Sequence, residues 1–112
     1  MKKCTINIGE KDYELVLTRN AIKWLENRGI TLDTIDKKLL TFVDGMWVAL
    51  FIANYSDMSE TDCIALLEQY ESEGGDVSEI VKFAIDEYTA FINALSGTKS
   101  KTKKKKAQIT KA

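Results

Sequence analysis

The sequence predicts a mainly α-helical domain: an N-terminal β-hairpin, about five helices in a small bundle, and a disordered lysine-rich C-terminal tail. Three observations carry that prediction. Apolar residues alternate between Cys4 and Leu17, they recur at spacings of three and four from Val77 to Leu95, and from Thr98 onward there are seven lysines and no acid. A period of two marks a strand with one buried face, and a period near 3.6 marks a helix with an apolar stripe. A run of like charges with few apolar residues has little to bury and stays solvated. The folded domain is therefore residues 1–97, and the tail is residues 98–112.

In the first element Cys4, Ile6 and Ile8 share one face, the polar Gly9-Glu10-Lys11-Asp12 forms a turn, and Tyr13, Leu15 and Leu17 resume the alternation. Two strands alone are only marginally stable in water. The apolar face must lie on helices, or an outer edge must pair with another chain. Val16, on the other face, indicates that the second side is not wholly wet.

Thr18 is a candidate N-cap for a helix over 19–28, in which Ala21, Ile22 and Leu25 make the stripe and Gly29 supplies the left-handed stop. Trp24 sits beside that stripe and either widens the core or reaches outward, the core being favoured. A second, weaker helix begins at Thr31 or Asp33 and runs through Leu32, Ile35, Leu39 and Leu40. The segment Met46–Ala53 is apolar on every side. It has the composition of a buried strand, but helical signals flank it and no parallel partner is evident, so a helix over about 44–55 is preferred. Such a helix is either the central one or lends a face to a partner.

Ser59 followed by Asp62 approximates a capping box, and Cys63, Ile64, Leu66, Leu67 and Tyr70 continue that helix until Gly74-Gly75. The last helix carries Val77, Ile80, Val81, Ala84, Ile85, Tyr88, Ile92 and Leu95 on one stripe, with Gly97 as a stop. Phe83 and Phe91 fall off the stripe, about two turns apart on one flank. Either a neighbouring helix covers them or they form part of a protein interface.

Composition narrows the function. The chain has 112 residues, 45% hydrophobic and 29% charged, with no run of about 18 apolar residues that could span a bilayer. Its N-terminus lacks the apolar stretch and small-residue cleavage site of a signal peptide, so a cytoplasmic location is expected. Cys4 and Cys63 are expected to be reduced, with Cys63 in the core. The net charge of −1 hides a division. Residues 1–97 hold nine basic and seventeen acidic residues, a charge of −8, whereas the tail carries +7 on Lys99, Lys101, Lys103, Lys104, Lys105, Lys106 and Lys111. Such an arm attracts phosphate or acidic surfaces over roughly a Debye length of about 8 Å, or is simply solvated.

Residues suited to catalysis are scarce. There is no histidine, no GxxxxGK[ST] or GxGxxG phosphate cradle, and Asp57, Glu60 and Asp62 lack the glycine and terminal glutamate of a calcium loop. Helix capping accounts for those acids. The chain is expected to be non-catalytic and to need no cofactor or metal. Nucleic-acid binding is disfavoured as well, because the acidic body repels the backbone and the tail has neither aromatics nor arginines to read bases.

The run Tyr13, Leu15, Leu17-Thr18, Ala21-Ile22, Leu25-Glu26 and Gly29 resembles the opening of the tail assembly chaperones of long-tailed bacteriophages, the group that includes the G protein of lambda-like phages. The apolar Met46–Asn54, the helix start Ser59-Glu60-Thr61-Asp62 and the closing helix Val77–Leu95 extend the likeness over about residues 5–95. The resemblance implies no catalytic residue. It implies a transient cytoplasmic protein, absent from the finished virion, which binds the helical tape-measure protein and assists tail tube assembly. Trp47, Phe51, Phe83 and Phe91 would then supply an adaptable apolar surface for an amphipathic partner helix. It also implies a second, longer product made by ribosomal frameshifting, for which the codons of Lys103–Lys106 are suited. Self-association is expected from the open hairpin edge and the apolar helix. The alternative reading is a small regulatory or nucleic-acid-associated protein that uses the basic tail as an electrostatic arm.

Overall fold

The computed structural model describes residues 2–96: a two-stranded antiparallel hairpin followed by five helices. The tail lysines Lys99, Lys101, Lys103, Lys104, Lys105 and Lys106 lie outside the described residues.

Strand β1 (Lys3–Ile8) pairs with β2 (Lys11–Val16) so that Ile8 faces Lys11, Ile6 faces Tyr13 and Cys4 faces Leu15. The reversal takes two residues, not the four expected. Gly9 (φ 59°) and Glu10 (φ 67°) are both left-handed, as in a type I′ turn, whose twist matches that of the strands it joins. Lys11 and Asp12 consequently belong to β2, and Asp12 accepts a hydrogen bond from Asn7 Nδ2 at 3.0 Å. Ile6, Ile8, Tyr13 and Leu15 are buried on the inner face, and Val16 is buried on the outer one.

Helix α1 (Arg19–Asn27) starts where Thr18 accepts from the Ala21 N–H at 3.2 Å. It ends in a Schellman motif. Gly29 (φ 74°) donates to the Glu26 carbonyl and Ile30 to that of Leu25, both at 2.9 Å, and the buried Ile30 and Leu25 provide the accompanying apolar contact.

The expected second helix is cut short. Helix α2 is the single turn Thr34–Lys37, and at its start the buried Thr34 hydroxyl accepts from the Thr31 N–H (2.9 Å) and donates to the Gly29 carbonyl (3.3 Å). Lys38 (φ −143°, ψ 72°) then breaks the chain, and α3 begins at Leu39, five residues before the expected start. Ile35, Leu39 and Leu40 are exposed and form no inner stripe.

Helix α3 (Leu39–Phe51) is the centre of the domain. Phe42 and every residue from Gly45 to Phe51 are buried, as a helix apolar on all sides requires. β2, α1, α2, α4 and α5 all pack on it. It stops short of the predicted residue 55 because the following residues serve the hairpin. The Glu14 N–H donates to Tyr55 Oη (2.9 Å), and Asn54 Nδ2 donates to the Glu14 carbonyl (3.1 Å).

Helix α4 (Glu60–Ser72) has the capping box read from the sequence: the Asp62 N–H donates to Ser59 Oγ (3.0 Å) and the Ser59 N–H to Asp62 Oδ2 (3.4 Å). Gly74 (φ 89°) and Gly75 close it with a second Schellman pair, to Glu71 and Tyr70. Helix α5 (Val77–Ser96) buries Ile80, Val81, Ala84 and Tyr88, but its stripe outruns the body, leaving Ile92 and Leu95 exposed. No described helix is long and apolar enough to cross a membrane.

Two substitutions test this account by chemical denaturation. Glutamate in a left-handed turn position is strained, so Glu10→Gly should raise stability by roughly 0.5–1 kcal/mol. A Cβ at Gly45 would sit 2.5 Å from Ile30 Cδ1 in a filled core, so Gly45→Val should cost about 2 kcal/mol.

Candidate protein-interaction surface

A shallow groove runs over α3 between α1 and α4. Thr41, Asp44 and Ile52 are at least partly exposed along it, and the buried Gly45 and Val48 form its floor. Trp24, Arg28 and Ile30 form one wall, and Glu60 and Ile64 form the other. Three depressions of about 250, 320 and 400 Å³ share Glu60, two of them also share Trp24 and Val48, and together they make a continuous groove. Met58, the residue before the Ser59 cap, and Cys63 line its middle, the positions of a hydrophobic staple.

Arg28 spans the groove. Its guanidinium lies 4.4 Å above the Trp24 ring, one turn back on the same helix, and it forms an ion pair with Glu60 of α4. Both charged groups are about half exposed, so water and salt screen the pair and it is readily exchanged for another contact.

The rim is acidic. Burial, and then the charge of Glu68, hold the Asp44 carboxyl above its ordinary pKa. Neither Asp44 nor Glu68 has an ion-pair partner among the described residues. The Cys63 thiol is also pushed up, by burial first and by Asp62 second, which suits a packing residue and not a nucleophile. Cys4 is raised by burial and then by Glu79, and both cysteines are free.

The residues nominated from the sequence divide. Trp47 and Phe51, expected at the partner surface, are sealed at 0% and 1% exposure. They belong to an aromatic cluster with Tyr13, Tyr55 and Tyr70, at centroid separations of 5.3–5.9 Å, and Trp47 Nε1 donates to the Cys63 carbonyl at 2.8 Å. A helix apolar all round turns its largest side chains to the deepest places, so these two hold the fold together. Phe83 is half-buried and packs against the core. Phe91 is half-buried and borders a shallow depression of about 380 Å³ with Lys2, Glu87, Ala90 and Ala94.

Trp24, which the sequence reading inclined to place in the core, is half-buried and forms a groove wall. The signal that would have found it is Arg28 one turn later, the spacing at which a guanidinium covers an indole. Leu39 and Leu40 (61% and 74% exposed) and Leu95 (67%) are further apolar surface, at the start of α3 and the end of α5. Among the acids, Asp62 closes the capping box and Glu60 pairs with Arg28. No group of three or more metal-ligating side chains occurs among the described residues.

In architecture the chain is a hairpin-led helical domain with an acidic-rimmed apolar groove beside a filled core. It belongs to the family described as Domain of unknown function (DUF5055), which matches residues 1–111. Comparison with curated proteins and with solved structures gave no match.

The carboxylates predict opposite pH responses. Folding penalises the charged form of Asp44, so Asp44→Asn should stabilise the protein near neutral pH, and the gain should fade as pH falls through the raised folded pKa toward the unfolded one. Glu73 is held low by the Gly9 N–H and then by Gln69. Its contribution is present above the ordinary carboxylate range and is lost as pH falls through the folded pKa, so Glu73→Gln should destabilise only above that range. Thermal melts of both variants across pH 3–8 provide the check.

Proposed function

We propose that this protein is a non-catalytic assembly chaperone of long-tailed phage tails, acting in the host cytoplasm by sheltering amphipathic helices of the tape-measure protein while tail tube subunits assemble. The observation that carries this reading is the groove over α3, where the half-buried Trp24, Ile52 and Ile64 offer apolar surface above a filled core. The resemblance of the hairpin, central helix and closing helix to that group supports it.

The groove's chemistry favours a particular occupant. Its floor of Val48 and Ile52 and its walls of Trp24 and Ile64 match the apolar face of a helix. Asp44 calls for a cation on the flank of that helix, since burial and then the charge of Glu68 raise the cost of ionising it and neither acid has an ion-pair partner among the described residues. Arg28, already shared between Trp24 and Glu60, can release its acid to an incoming lysine or arginine. The partner is therefore an amphipathic helix with basic residues beside its apolar stripe. Leu39, Leu40 and Leu95 add apolar surface beyond the groove, as a chaperone of long helices needs.

Co-expression with a long coiled-coil tape-measure protein tests this. The intact chain is expected to keep the partner soluble and to co-purify with it. Ile64→Asp, at a half-buried wall position, should lose at least tenfold in binding while its circular dichroism stays that of the parent. A partner that remains insoluble with the intact chain, or one held equally well by Ile64→Asp, would refute the proposal.

A further inference from the structure

The hairpin has two outer edges, and the structure treats them differently. In this register Cys4, Ile6 and Ile8 bond across to Leu15, Tyr13 and Lys11, so the backbone groups of the alternate residues point outward. On β2 the outward groups of Glu14 are both taken, by Tyr55 and Asn54. On β1 the ends are closed, since the Lys2 N–H donates to Glu87 and the Gly9 N–H to Glu73, each at 3.0 Å. Between those ends the backbone N–H and C=O groups of Lys3, Thr5 and Asn7 have no partner among the described residues, and all three residues are exposed. Such an edge is a template for another strand.

We infer that the open edge of β1 is the seat of a two-fold contact between two copies of this chain, joined antiparallel about Thr5 into a four-stranded sheet. Charge and register select this occupant. Centred on Thr5, the pairing sets Thr5 against the second copy's Thr5, and Lys3 against the second copy's Asn7. All three free residues are then used, each opposed pair exchanging two hydrogen bonds. Rows across the exposed face read Glu14, Thr5, Thr5, Glu14 and Val16, Lys3, Asn7, Asp12, with no like charges adjacent. A pairing centred on Lys3 would oppose two lysines, and one centred on Asn7 would need the Gly9 N–H that Glu73 already holds. Lys3 keeps its ion pair with Glu14 (3.1 Å), which lies on the exposed face beside the new strand.

Sedimentation velocity on the full chain over a concentration series, joined to hydrogen exchange at residue level, is the test. The parent should dimerise with rising concentration while the Thr5 and Asn7 amides become protected. Thr5→Val should tighten the dimer and Thr5→Lys should weaken it, each by up to roughly fivefold, since a cross-strand pair is worth up to about 1 kcal/mol. Thr5→Pro should abolish it, because proline removes an N–H that the hairpin ladder does not use. Circular dichroism of Thr5→Lys, at an exposed position, guards against misfolding as the cause. A chain that stays monomeric with freely exchanging Thr5 and Asn7 amides overturns the inference. So does a dimer indifferent to all three variants, or protection that appears only when an unrelated extended peptide is added.

Discussion

The enclosure of α3 is the constraint on which the rest of the structure depends. A helix that is apolar on every side has no face to give to water, and in a chain this short every other element must contribute to covering it. The hairpin lays its inner face against it, α1 and α4 flank it, and the first half of α5 closes it. The aromatic cluster around Trp47 fills the space between α3, α4 and the hairpin, and the bond from Trp47 Nε1 to the Cys63 carbonyl satisfies the one polar atom of the indole. Burying that ring costs little once its N–H has an acceptor.

That constraint also explains which parts of the fold were legible in the sequence. Signals that are local in origin held: the alternation of the strands, the Thr18 cap, the Ser59 and Asp62 box, and the glycines that end α1 and α4 each depend on a few neighbouring residues. Boundaries set by distant partners were not legible. The chain leaves α3 early because Tyr55 and Asn54 reach a strand about 40 residues earlier. The two-residue turn has a local cause that the sequence does not signal, since Glu10 is not a residue that announces a left-handed conformation.

The candidate site was legible in kind and not in place. Trp47 and Phe51 drew notice as large apolar residues in an unpatterned segment, and such a segment carries no period from which inside and outside can be told. The surface that does remain open is built from medium-sized residues on three different helices, Trp24 apart, and only their assembly makes a groove. Of the acids along it, Glu60 is accounted for in the sequence by helix capping alone. What distinguishes Asp44 from the others is its burial beside Glu68, a property of packing with no signature in the chain.

The unequal treatment of the two hairpin margins has a consequence for solubility. A naked strand border on both sides would let molecules stack without limit into fibres. Because Tyr55 and Asn54 plug one border at its midpoint, any lateral growth from the other has nowhere to continue, and recruitment of β-structure is self-terminating.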